Sequence, residues 1–208
     1  MHLFLTGEIQ VGKSTVIKKV VKRLGVTPTG FRTVWGEADS EGQEHLHLLP
    51  FSIRSAKPKA PKSPASPATP ARSSSPIVAV RRAGGRMLEK HPEIFDTAGV
   101  HLLSDEAKMR DSVLIVMDEL GFLENDARLF QRCVLGLLDG PVPILGVIKP
   151  RQTTFLNRVR ENKNVQVIEV TQENRTWIVY KALLHIQLEM ASYQEQKEKE
   201  QKKKRRRK

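Results

Sequence analysis

The chain is short of the residues that build disulfide-bonded, zinc-binding or membrane-spanning proteins. Cys133 is its one cysteine among 208 residues, which excludes a disulfide framework and a cysteine-based zinc site. It lies in an apolar-periodic stretch with Leu129, Phe130, Val134 and Leu137 and is expected to be a small core residue. The histidines, His2, His45, His47, His91, His101 and His185, form no HExxH-like ligand spacing. No apolar run approaches the roughly 18–20 residues of a membrane span. The first residues also lack the basic-then-apolar order of a secretory leader. A reducing, cytoplasmic setting with no membrane is therefore expected. Hydrophobic residues make up 39% of the chain, below the roughly 45–50% of an average globular protein, so part of it builds no core.

Acidic residues are also scarce, with 23 Asp and Glu against 35 Lys and Arg, for a formal charge of +12. The excess is local. Residues 197–208 carry a net +7 and residues 54–90 a net +8, leaving −3 for the rest. Nucleic acid, which a basic chain would attract, thus has a route only through these two segments. Between 56 and 76 the sequence reads AKPKAPKSPASPATPARSSSP, with prolines at 58, 61, 64, 67 and 70, the three-residue period of a polyproline II spacer. The expected organisation is one domain over 1–190, interrupted by a disordered Pro/Ser/Ala/Lys-rich insert at 54–76. A disordered charged tail over 191–208 should follow.

Strand patterns fall at 2–6, 29–36, 45–51, 77–82, 113–120, 142–148 and 165–170, and helix patterns at 13–24, 104–110, 125–138, 152–162 and 173–190. Segments 2–6, 113–118 and 142–148 are almost wholly apolar, as strands covered on both faces are. Such strands alternating with helices predict an α/β fold with a mostly parallel sheet flanked by helices. The two alternating runs joined by ADSEGQ over 29–51 read as an inserted β-hairpin.

Residues 7–14, GEIQVGKS, match the phosphate-loop pattern GxxxxGK[ST], between strand HLFLT and helix STVIKKVVKRL. The chemistry needs these residue types. Glycines let the loop curl so that backbone N–H groups face phosphate oxygens, and the helix N-terminus adds partial positive charge. Gly7, Glu8, Ile9, Gln10, Val11, Gly12, Lys13, Ser14 and Thr15 are the expected nucleotide-binding residues. Lys13 should reach the β- and γ-phosphates, and Ser14 should ligate Mg²⁺.

A second apolar strand, VLIVM, ends in Asp118-Glu119. Strand ends of this kind deliver carboxylates to the sheet edge where ligands bind. Asp118 is expected to hold the Mg²⁺ directly or through a water, and Glu119 is placed to polarise a water for attack on the γ-phosphate. Asp96-Thr97-Ala98-Gly99 matches the DxxG of GTPases, and Asn162-Lys163-Asn164 is a faint match to their NKxD. Neither has its required strand context, so the GTPase reading is set aside.

These residues together resemble the broad-specificity P-loop nucleoside-triphosphatases that include the cancer-related nucleoside-triphosphatase and its archaeal and bacterial relatives. The shared marks are the early phosphate loop, Gly30-Phe31-Arg32-Thr33, the run Asp118–Glu124 (DELGFLE), and Val167–Arg175 (VIEVTQENR). The resemblance implies a P-loop NTPase fold and Mg²⁺-dependent hydrolysis of ATP, GTP and other nucleoside triphosphates to diphosphate and phosphate. The family loop commonly reads GPPGxGKT, whereas Glu8, Ile9 and Gln10 stand at its centre here. Arg81 and Arg82 remain candidates for a phosphate-gripping arginine. Lys149 and Arg151 follow a strand, where they could face phosphate or make structural pairs. Arg175 could stack on a base, contact phosphate or pair with an acid. Thr171 could cap the last helix. Two other functions stay open: a P-loop nucleotide or small-molecule kinase, and a nucleic-acid-associated NTPase switch.

Overall fold

A computed structural model describes residues 1–54, 58–59, 75–83, 85–105 and 111–205. Most of the proline-rich segment, and residues 106–110 of the helix expected at 104–110, lie outside the described residues. Eight strands form one sheet: β1 (His2–Thr6), β2 (Thr29–Trp35), β3 (Gln43–Pro50), β4 (Ile77–Arg82), β5 (Met87–Lys90), β6 (Ile115–Leu120), β7 (Ile144–Ile148) and β8 (Val165–Glu169). Their spatial order is β5-β4-β3-β2-β6-β7-β1-β8. From β2 through β8 every pairing is parallel. From β2 through β5 every pairing is antiparallel. The expected hairpin is thus the first half of a four-stranded meander hung on the edge of the parallel sheet. β5 lay unread in the sequence because MLEK is short, mostly exposed and without an apolar alternation.

The apolar strands are apolar because both faces are covered. In β1, Leu3 and Leu5 join the core beneath helix α1 (Lys13–Leu24) and the C-terminal helix, while Phe4 joins the opposite core with Phe31, Phe95, Phe130 and Phe155. β6 divides in the same way, Val116 to one side and Ile115 and Met117 to the other. This is the two-residue period of a pleated strand. Cys133 is half-buried and packs against the Phe130 core instead of lying fully within it.

The GTPase-like tetrapeptide has a structural role. Asp96 Oδ1 accepts a hydrogen bond from the Phe130 backbone N–H at 2.9 Å, in the first turn of helix Arg128–Leu138, where it satisfies an otherwise unpaired donor. The Asn164 side chain donates to the Leu138 carbonyl at 3.0 Å, so the NKN segment fastens the approach to β8.

One expectation is corrected. The C-terminal helix runs Arg175–Arg205, so residues 191–205 are helical where composition suggested a structureless tail. The physical reason is that Glu, Gln and Lys are good helix formers, and a helix already anchored by its first turns propagates at little cost. The i,i+4 pair Glu195–Lys199, 3.8 Å apart, adds a small term.

Candidate active site

The phosphate loop leaves β1 and enters α1 as the sequence requires. Gly7 adopts φ +131°, and a Cβ there would stand 2.4 Å from the Val170 carbonyl oxygen. Only glycine therefore lets the loop lie against the end of β8. Gly12 and Gln10 also take positive φ, at 103° and 65°. Val11 turns its side chain into the core, while the side chains of Glu8, Ile9, Gln10 and Thr15 are exposed. These five positions can therefore bind a ligand chiefly through their backbone. Glu8 points its charge into solvent.

Lys13 is buried, and its Nζ donates to the carbonyls of Gly7 at 2.7 Å and Glu8 at 2.5 Å, bracing the loop. Burial lowers its pKa, while Glu119 and Asp118 act to raise it. Ser14 Oγ donates to Asp118 Oδ1 at 2.9 Å across 104 residues of sequence. Asp118 is buried, and desolvation pushes its carboxyl up to about 6 despite the Ser14 hydrogen bond. Arg32, in register with Asp118 on β2, is also buried and opposes that rise. Its Nε has no hydrogen-bond partner among the described residues. The peptide bond between Asp118 and Glu119 is cis.

Arg32 and Glu124 lie within the motifs shared with the family, and the sequence alone assigns neither a role. Glu124 is fully enclosed and accepts the Gly121 N–H at 2.9 Å; burial pushes its carboxyl up to about 7. Lys149 does make an ion pair, and its partner is Glu119: Nζ to Oε1 is 2.8 Å. Lys149, Arg151 and Lys90 all approach the Phe122 ring, with Arg151 nearest at 4.7 Å. A cationic cluster thus gathers at Phe122, and Lys149 links it to the Glu119 carboxylate. Its signal in sequence was only the basic pair after β7.

The other candidates separate cleanly. Arg81 pairs with Glu44 at 2.7 Å and lies 4.0 Å over Trp35, so it is committed within the meander. Arg82 is exposed at the end of β4. Arg175 lies over the phosphate loop, its Nη1 3.7 Å from where a Cβ on Gly12 would stand. Thr171 and Asn174 cap each other reciprocally: Thr171 N–H donates to Asn174 Oδ1 at 2.8 Å, and Asn174 N–H to Thr171 Oγ1 at 3.3 Å.

A hydroxyl and a carboxylate in contact at the mouth of a phosphate loop form a hard-oxygen donor set. Mg²⁺ suits such a set, since it takes one or two protein carboxylates and leaves other positions to phosphate and water. The buried Asp118 carboxylate is also a negative charge that a cation would compensate. The fold and site define the chain as a P-loop NTPase.

The family model described as NTPase matches residues 2–57 and 77–183, and the chain belongs to that family. It is 27% identical over 184 residues to nucleoside-triphosphatase THEP1 of Aquifex aeolicus, covering 86% of this chain and 95% of the relative. It is also 27% identical over 187 residues to the human cancer-related nucleoside-triphosphatase, covering 86% and 92%. The crystal structure of THEP1 from Aquifex aeolicus superposes with a TM-score of 0.62 at 22% identity, over 89% of this chain and 99% of that one. The solution structure of a human cancer-related nucleoside triphosphatase gives 0.55 at 25% identity, over 89% and 97%. Among the described residues no helix is long and apolar enough to cross a membrane.

Proposed function

We propose that the protein hydrolyses nucleoside 5′-triphosphates, ATP and GTP among them, to nucleoside diphosphate and phosphate with Mg²⁺ as cofactor. The observation that carries this reading is the 2.9 Å Ser14–Asp118 contact at the mouth of the phosphate loop, with Glu119 next in the chain. Ser14 and Asp118 would hold Mg²⁺, which would supply positive charge to offset that of the polyphosphate. The loop backbone and Lys13 cradle the triphosphate. Lys13 offers its ammonium to the γ-phosphate as charge grows on the leaving oxygen. Glu119 orients a water and takes its proton as the water oxygen bonds to Pγ and the Pγ–O bond to the diphosphate breaks. The Lys90, Lys149 and Arg151 cluster attracts the polyanion.

Phosphate release from ATP, GTP, CTP, UTP and their deoxy forms, with Mg²⁺ and no acceptor added, tests the reaction and separates it from a kinase. Glu119→Gln is expected to keep nucleotide binding and lose most of the turnover. Wild-type turnover in that variant would remove Glu119 from its role.

A further inference from the structure

Four large apolar side chains lie on one exposed line of the C-terminal helix: Trp177 at 60%, Tyr180 at 57%, Leu184 at 60% and Leu188 at 63% relative exposure. Their spacing of three, four and four residues puts them on one helical stripe. The opposite side, with Ile178, Val179, Ala182 and Ile186, is buried against α1 and the sheet. Among the described residues the helix therefore shows the solvent a second apolar face, outside both apolar cores. Isolated exposed leucines need no explanation, but a continuous ridge of this kind marks an interaction surface.

The surroundings of the ridge indicate what it meets. Arg23 of α1 lies 4.7 Å over the Tyr180 ring, and Lys181 lies 5.1 Å from the Trp177 ring centroid. Lys22 is exposed beside Arg23. Beyond Leu188 the helix continues through Lys197, Lys199, Lys202, Lys203, Lys204 and Arg205, against Glu189, Glu195, Glu198 and Glu200. The sequence then ends in three more cations. The family match stops at residue 183, so the lower ridge and this basic extension lie beyond it.

The geometry points to an anionic lipid surface as the occupant of this ridge. A helix lying in a bilayer interface buries Trp, Tyr and Leu at the headgroup–acyl boundary and sets Lys and Arg among anionic headgroups. Here Arg23 and Lys181 lie against the rings of Tyr180 and Trp177, and cations outnumber acids along the helix beyond Leu188. The two leucines decide against nucleic acid, because an aliphatic side chain gains nothing from phosphates and little from base edges, whereas acyl chains accept it. A single convex helix also offers no groove to a peptide. The contact is a docking onto the surface, with no segment crossing it.

Flotation of the full chain with phosphatidylcholine vesicles, with and without phosphatidylserine, tests this. The protein is expected to float with the phosphatidylserine vesicles only, less so as salt rises, with a blue shift of Trp177 emission. Leu184 and Leu188 are exposed and lie in neither apolar core among the described residues, so Leu184→Gln/Leu188→Gln should keep the wild-type melting temperature and nucleotide hydrolysis while lowering vesicle partitioning at least about 10-fold. Neutralising Lys202, Lys203 and Lys204 to Gln should weaken partitioning and flatten its salt dependence. The proposal is overturned if the wild type does not float with anionic vesicles or if the double leucine variant floats as well as wild type. It is equally overturned if lipid-free protein is a dimer that this variant dissociates, which assigns the ridge to a second copy. Displacement from vesicles by single-stranded RNA that binds the double variant undiminished would give the basic extension to nucleic acid and also overturn it.

Discussion

Lys149 Nζ stands 2.8 Å from Glu119 Oε1, so a cation at the end of β7 holds the carboxylate proposed to orient the attacking water. The Lys149 backbone is itself fixed by its N–H donation to the Leu120 carbonyl at 2.9 Å. Both side chains are about one-third exposed, which limits the pair to roughly 1 kcal/mol or less. Lys149→Met is therefore expected to lower kcat about 3- to 5-fold with KM nearly unchanged, and Lys149→Arg to restore most of it. Steady-state kinetics decide this, and an unaltered kcat in the methionine variant would remove the positioning role.

The Ser14–Asp118 contact makes a different prediction, because activity and stability should separate. Ser14→Ala and Asp118→Asn are each expected to lower hydrolysis about 100-fold or more. Ser14→Ala should also raise the Mg²⁺ concentration needed for half-maximal rate. Yet Asp118 is a buried carboxyl whose charged form is disfavoured, its pKa standing at about 6. Its neutral amide analogue should not melt below the wild type at pH 8 without added metal. A Mg²⁺ titration and a thermal melt on the same preparation check both halves.

Glu124 gives the fold a pH dependence whose sign can be worked out. Its carboxyl is raised to about 7 from an ordinary 4.5 because burial disfavours the charge. Between those values the folded state holds a proton that the unfolded chain has lost. Stability is then greatest below pH 4.5 for this group and falls as pH rises to about 7. The loss is on the order of 3 kcal/mol at most. Glu124→Gln should abolish that slope, so the variant gains on the wild type as pH rises from 5 to 8. Urea unfolding across that range measures it, and parallel pH curves for the two proteins would refute the assignment.

The phosphate loop, the carboxylate strand and the parallel half of the sheet were legible because each depends on local pattern: a glycine spacing, a doubly covered apolar run, a helix after a strand. What escaped depends on tertiary burial or on pairing between distant segments. Glu124 looks like any surface acid until the 3₁₀ turn Leu123–Asp126 folds it inward. Arg32 acquires meaning only from the β2–β6 register that sets it opposite Asp118. The Glu119–Lys149 pair joins residues 30 apart through neighbouring strands. Composition misread 191–205 because a charged segment appended to an anchored helix need not bury anything to stay helical.

Two glycines with opposite environments test the backbone account. Gly7 combines φ +131° with a Cβ position 2.4 Å from the Val170 carbonyl oxygen, and backbone at the end of a strand cannot give way as a flexible side chain can. Gly7→Ala is expected to cost about 2–4 kcal/mol and to weaken nucleotide binding, since the loop must leave β8 to admit the methyl. Gly136 lies inside helix Arg128–Leu138 with nothing among the described residues within 4 Å of its Cβ position. There alanine removes unfolded-chain freedom at no steric cost, so Gly136→Ala should stabilise by about 0.5–1 kcal/mol and leave hydrolysis unchanged. Urea midpoints of the two variants should move in opposite directions. A Gly7→Ala protein that unfolds at the wild-type midpoint would mean that the loop does not rest against Val170 in solution.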